Sequence, residues 1–224
     1  MASNTALAYA AQVKGLLASS DGKDKAIALV QYAAMFASGG ELGYALAVQK
    51  SFSAARKPFR LYKPVEILLP LLQKPPKGKV LATALEYVKT LGMAVYMGAD
   101  HVVWAGQAGL LQDKELAGNM QKVSLWGWFA ASCASLVTQT NALTAALDDM
   151  SVVTDEEDKK TAAVRVQKIM VDIVTNSAQG VLALALLEQI PLDKRKIGAL
   201  GVFLSLVNCY NLAPALALTK KKAE

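Results

Sequence analysis

The sequence predicts an all-α protein, an integral membrane helical bundle with amphipathic helices towards its N-terminus. Three observations predict this. Alternation of apolar and polar residues is rare, while alanine and leucine dominate throughout. The runs 123–147 and 197–219 contain no charged residue, and each reaches the ~20 residues that a bilayer span requires. Segment 49–63 carries five cations and no acid, with bulky apolar residues at helical spacing.

Composition points the same way. The chain of 224 residues is 54% hydrophobic and only 19% charged, with a mean hydropathy of +0.29, high for a soluble protein. Cys133 and Cys209 both stand in apolar surroundings, so free buried thiols are expected rather than a disulfide framework. The first residues lack the basic stretch, compact apolar run and cleavage site of a secretory signal, so insertion is expected to use internal signals.

Six to eight helices are expected. The first covers about Thr5–Ala18 and stops at Ser19-Ser20-Asp21-Gly22. The second begins near Lys23 and runs through Ile27, Val30, Gln31, Ala34 and Met35 to Ser38, where Gly39-Gly40 breaks it. A basic third helix continues to about Arg60, and Pro58 should kink or end it near Lys57. Pro64 to Pro76 is proline-punctuated, with one or two helical turns at Val65–Leu69, and Pro75-Pro76-Lys77-Gly78 reads as a linker. This change of character divides the chain into two regions: an amphipathic, basic region over 1–79, and a membrane-embedded region over 80–224 that ends in a lysine tail.

Within the second region, 83–111 and 173–187 are weaker span candidates than 123–147 and 197–219, because charged residues interrupt or bound them. Trp126 and Trp128 suit an interfacial aromatic belt. Ser132, Ser135, Thr138, Thr140, Asn141 and Thr144 suit close helix packing or a polar lining. Asp148, Asp149, Asp155, Glu156, Glu157 and Asp158 form an acidic connector.

Charge is concentrated. From Lys50 to Lys79 there are eight basic residues (Lys50, Arg56, Lys57, Arg60, Lys63, Lys74, Lys77 and Lys79) against Glu66 alone. On a helical wheel Val48, Phe52, Ala55, Phe59 and Tyr62 share one arc, and Lys50, Arg56, Lys57, Arg60 and Lys63 the next. Such a helix lies in a membrane interface, with rings at the acyl boundary and cations on anionic headgroups, or it is a surface helix with one solvated face. Nucleic-acid binding is disfavoured, since no recognition motif accompanies the patch and the rest is too apolar.

Little else carries chemistry. His101 is the sole histidine and follows Asp100, which reads as a polar latch within a helical bundle rather than a catalytic dyad or metal site. The chain has no phosphate loop, dinucleotide fingerprint, paired-cysteine zinc spacing or nucleophile elbow. Neither catalysis nor a cofactor is expected. The ending Lys220-Lys221-Lys222-Ala223-Glu224 favours a cytosolic C-terminus. Lys221 and Lys222 also fit a dilysine address of the kind read by coat proteins.

Four blocks in order, Asp21–Lys25 with Leu29–Tyr32, Ser53–Lys63, Asp100–Trp104 and Gly198–Tyr210, together resemble the peroxin-eleven family of peroxisomal membrane-elongation proteins. Asp21-Gly22-Lys23-Asp24-Lys25 with Leu29-Val30-Gln31-Tyr32 is similar to its N-terminal block. Ser53-Ala54-Ala55-Arg56-Lys57-Pro58-Phe59-Arg60-Leu61-Tyr62-Lys63 resembles its most specific block. Asp100-His101-Val102-Val103-Trp104 and the glycine-rich stretch from Gly198 to Tyr210 complete the likeness. The resemblance implies a non-enzymatic peroxisomal membrane protein that promotes peroxisome division by inserting an amphipathic helix into the cytosolic leaflet and oligomerising. It would then hand the elongated organelle to the fission machinery. Lys50, Phe52, Arg56, Lys57, Phe59, Arg60 and Lys63 become the expected membrane contacts, with both termini cytosolic. The alternative it implies is a pore for small metabolites, lined by the polar residues of 123–147 with Asp100 and His101.

Overall fold

A computed structural model of the chain describes residues 2–213. These form eight α-helices and one 3₁₀ turn, with no strand among them: α1 Ala2–Leu17, α2 Ser20–Ser38, α3 Tyr44–Arg56, the 3₁₀ turn Lys57–Arg60, α4 Lys63–Gln73, α5 Val80–Gln107, α6 Lys114–Val152, α7 Glu156–Leu186 and α8 Lys194–Leu212. The all-α expectation holds. Among the described residues two compact units emerge, one made of 2–60 together with 193–213, the other of Leu61–Leu192.

The first unit is organised by α2. Ser19 caps it by accepting from the Gly22 N–H at 3.0 Å, and Asp21 in the first turn faces the positive end of the helix dipole. Gly39 ends it in the left-handed conformation at φ 59°, its N–H returning to the Met35 carbonyl. Asp24, Ala28, Gln31, Tyr32, Met35 and Ser38 are buried along one face at helical spacing. α8 packs on α2 because it offers glycine where α2 offers rings. A Cβ at Gly201 would collide with the Tyr32 ring, and one at Gly198 with the Phe36 backbone. Ile197, Leu204 and Ser205 fill the rest of that face.

The second unit is built on long helices that approach closely. Gly92 of α5 and Gly127 of α6 face each other, and a Cβ on either would stand 2.7 Å from the other's carbonyl oxygen. Ser124 donates to the Tyr96 carbonyl at 3.0 Å, and the Tyr96 and Trp128 rings stack with centroids 5.3 Å apart. Trp128 Nε1 donates to Gln179 Oε1 at 3.0 Å and ties α6 to α7. Aspartates start the later helices. Asp113 accepts from Leu116 N, Asp155 from Glu157 N and Asp158 N, and Asp193, in the first unit, from Lys196 N.

The span candidates sort differently from their charge-free lengths. Among the described residues one helix, α7, is long and apolar enough to cross a membrane, with a mean hydropathy of 1.5 over its best stretch. Residues 123–147 lie inside the 39-residue α6 and fall short despite being uncharged, because serine, threonine, glutamine and asparagine dilute their hydropathy. Of the 197–219 run only the part to 213 is described. Helix length and composition therefore do not establish an integral membrane bundle. Only 28% of the apolar stretch of α7 is buried, a smaller share than in a mostly buried core helix of a soluble protein.

Candidate membrane-contact site

The basic segment is assembled around Asp24. This carboxylate is 3% exposed on α2, and two arginines one helical turn apart close on it. Arg60 donates from Nε to Oδ1 at 2.8 Å and from Nη2 to Oδ2 at 3.1 Å. Arg56 donates from Nε to Oδ1 at 3.0 Å and from Nη2 to Oδ2 at 3.4 Å. Arg56 Nη1 also donates to Gln31 Oε1 at 2.8 Å, and its guanidinium carbon lies 6.0 Å from the centre of the Tyr32 ring. Lys25 Nζ stands 3.0 Å from Asp24 Oδ2. Burial alone would raise the Asp24 carboxyl, but Arg56, Lys25 and Arg60 outweigh it and hold the group far below the usual carboxylate range. Asp24 is therefore ionised wherever this arrangement is intact.

The expected contact residues thus fall into distinct settings. Arg56, Lys57 and Arg60 are 9%, 6% and 5% exposed, turned into the protein in this conformation. Phe52, Phe59 and Lys63 are half-buried, and Lys50 is exposed. The helical wheel loses its phase at Pro58. α3 ends at Arg56 and continues as a 3₁₀ turn, with three residues per turn rather than 3.6, which rotates the residues beyond it. Tyr62, placed on the apolar arc with Phe52 by the wheel, is 73% exposed. Lys221 and Lys222 lie outside the described residues.

A second element, in the other unit, was partly hidden by its prolines. α4 extends over Lys63–Gln73, longer than the one or two turns expected. Pro64 opens it at a position where a missing N–H costs nothing, and Pro70 sits inside it, near the end, where the Lys74 N–H still reaches the Pro70 carbonyl. α4 packs against α5 yet buries none of its residues. Leu61, Tyr62, Val65, Leu69 and Leu72 are exposed on it or beside it, and Lys74, Lys77 and Lys79 come directly after. The signal was present, since Val65, Leu69 and Leu72 recur at i, i+4 and i+7.

The polar residues of 123–147 are engaged mostly with their own helix. Ser132, Thr138, Thr140 and Thr144 donate to the carbonyls of Trp128, Ala134, Leu136 and Thr140 respectively. Asp100 is buried on α5 and His101 half-buried beside it. Large apolar side chains also face outward on the long helices: Tyr87, Leu91 and Val95 on α5, Val123, Trp126 and Val137 on α6, and Val171, Val174 and Val181 on α7. Among the described residues no group of three His, Cys, Asp or Glu side chains is placed to hold a metal ion.

The described residues define a helical protein with a buried charge cluster and large apolar side chains exposed along several helices. Its sequence matches the family model described as Peroxisomal biogenesis factor 11 (PEX11) over residues 10–213, and the chain belongs to this family. It is 32% identical over 207 residues to Peroxisomal membrane protein 11C of Arabidopsis thaliana, covering 87% of this chain and 88% of that one. It is 31% identical over 204 residues to Peroxisomal membrane protein 11E of the same plant, covering 87% and 88%, and 29% identical over 212 residues to Peroxisomal membrane protein 11-5 of Oryza sativa subsp. japonica, covering 89% and 91%. No solved structure matches.

Proposed function

We propose that this chain elongates the peroxisomal membrane by seating its basic, amphipathic stretch from α3 through α4 in the cytosolic leaflet, and so promotes peroxisome division. The observation that carries the reading is α4, a strongly amphipathic helix with no buried residue, with Leu61, Tyr62, Val65, Leu69 and Leu72 exposed and lysines at its exit. Exposed large apolar side chains beside cations suit an anionic phospholipid surface. Each apolar side chain fully withdrawn from water contributes roughly 1.5–3 kcal/mol, and each nearby cation about 1 kcal/mol, enough together to hold the segment firmly. Inserted to the acyl boundary, it widens one leaflet against the other, which is positive curvature.

In this reading Lys50, Phe52, Phe59 and Lys63 contact lipid as α4 does, and Arg56, Lys57 and Arg60 supply headgroup contacts when they turn outward. Residues 1–79 act at the surface. The region 80–224 supplies the embedded bundle, α5 to α7 with their outward-facing apolar residues towards lipid, while α8 stays packed on α2. Homo-oligomers concentrate the curvature, both termini face the cytosol, and Lys221 and Lys222 recruit coat proteins while the fission machinery acts on the drawn-out membrane.

Electron microscopy of anionic proteoliposomes tests it. The native chain should draw vesicles into tubules, and Val65→Asp/Leu69→Asp/Leu72→Asp, which alters exposed positions only, should leave them round with helix content unchanged. Tubules from both would remove α4 from the mechanism. Round vesicles from both, with solute leaking from those carrying the native chain, would favour the metabolite pore instead.

A further inference from the structure

The clamp on Asp24 has a feature that ordinary helix packing lacks. α3 is a helix of 13 residues, and the single one it buries is Arg56; the 3₁₀ turn after it buries Lys57 and Arg60. The fully buried contacts of the segment with α2 are therefore charged, and its apolar residues, Phe52 and Phe59 among them, are at most half-buried. Before it lies Gly39-Gly40-Glu41-Leu42-Gly43, in which three glycines have positive φ (59°, 90° and 151°), and Gly43 opens α3 without any side-chain cap. After α3 comes Pro58, with the change from α-helical to 3₁₀ geometry. A strap bounded by glycines and a proline, and held by ion pairs, can be released by a competing anion. A strap held by leucines could not be.

We propose that Asp24 is an internal surrogate for a lipid phosphate, occupying the forks of Arg56 and Arg60 until an anionic membrane takes its place. This rests on the membrane-remodelling reading above and adds its control. The guanidinium fork matches carboxylate and phosphate alike, with two parallel N–H···O contacts to either. In the closed state both forks are engaged on one carboxylate, and Gln31 and Tyr32 steady Arg56. At a surface whose phosphodiesters carry a net negative charge the exchange of partners swings α3 and the 3₁₀ turn off α2. Arg56 and Arg60 then reach the headgroups and the half-buried rings of Phe52 and Phe59 become available to the acyl boundary. The same two arginines thus serve a clamp and a membrane contact in turn, and the basic segment stays folded away from surfaces that lack phosphate anions in excess.

The distance between α2 and α3 in the full-length chain reads the clamp. Spin labels at Val30→Cys and Val48→Cys, both exposed positions, in a chain carrying Cys133→Ser and Cys209→Ser should keep one short separation in phosphatidylcholine proteoliposomes and move apart in phosphatidylcholine–phosphatidylglycerol ones, whose phosphodiester charge the headgroup does not balance. Inorganic phosphate with phosphatidylcholine proteoliposomes separates a surface from a free ion, and the proposal requires the surface. An equal separation in both lipids would overturn the clamp, even if the anionic vesicles still tubulate, and failure to tubulate would instead count against the underlying function. Asp24→Asn supplies a second reading. It should raise association with added anionic vesicles roughly thirtyfold, the worth of two freed cations, and Arg56→Gln/Arg60→Gln in that background should cancel the gain. Unchanged or weaker binding by Asp24→Asn, in a protein whose helix content is intact, would contradict it.

Discussion

The two units join their helices by opposite means. In the first, α3 and the turn after it are held on α2 by a carboxylate shared between Arg56 and Arg60, all three side chains buried. In the second, α5 and α6 meet where Gly92 and Gly127 leave no room for a side chain, with Ser124 and the Tyr96–Trp128 stack beside them. A joint of small residues depends on shape and is indifferent to ions. A joint of buried charges depends on its counter-ion and can be opened by a better one. On the clamp proposal, the difference places rigidity in the long helices and the movable part in the basic segment.

The largest expected effect comes from removing the counter-ion. Asp24→Ala leaves two buried guanidiniums without their anion and should destabilise the first unit by about 3–5 kcal/mol, read by thermal unfolding of the detergent-solubilised chain. A loss within error would mean that apolar contacts hold the joint after all. The pH dependence has a definite sign. Because Asp24 is depressed when folded, its contribution is present above the unfolded carboxylate value of about 3.9 and is lost as pH falls through the folded value. The joint should therefore persist at mildly acidic pH and fail only in strong acid.

Gly127→Leu attacks the other joint. Its side chain has no space against the Gly92 carbonyl, and the change should cost about 1–3 kcal/mol or more, with no dependence on lipid charge. If its cost varied with anionic lipid, the contrast between the units would collapse. Ser19→Ala removes the cap of α2 and should cost about 1 kcal/mol, measurable as a small drop in melting temperature. Asp149→Asn breaks an exposed pair with Arg165 at 3.0 Å and should change stability by less than about 0.5 kcal/mol.

Much of this was legible in the sequence, for physical reasons. Gly39-Gly40 and Pro58 punctuated the helices where they do in the fold, because positive φ and a missing N–H are local demands. The blocks around Asp24–Gln31 and Arg56–Arg60 were recognised as similar to family motifs, but their meeting was not. Pairing across 32 residues leaves no periodic trace, although Asp24 and Gln31 at i, i+7 and Arg56 and Arg60 at i, i+4 each share a face. A cation-rich arc was taken for a solvated or lipid-facing one, since nothing local reveals a buried counter-ion. α4 was underread because two prolines in a short stretch suggest a loop, whereas Pro64 stands at the helix start and Pro70 near its end. The span candidates were ranked by absence of charge, which overlooks how strongly hydroxyl and amide side chains lower the hydropathy of 123–147.

The central claim is that the basic amphipathic stretch enters the lipid, and the depth of Leu69 tests it most directly. A spin label at Leu69→Cys, in a chain carrying Cys133→Ser and Cys209→Ser, would be probed by power saturation in anionic proteoliposomes, comparing molecular oxygen with a water-soluble nickel complex. The account predicts strong relaxation by oxygen and protection from nickel, as for a side chain ~5–10 Å into the headgroup–acyl boundary. Free access of nickel to that position would contradict it.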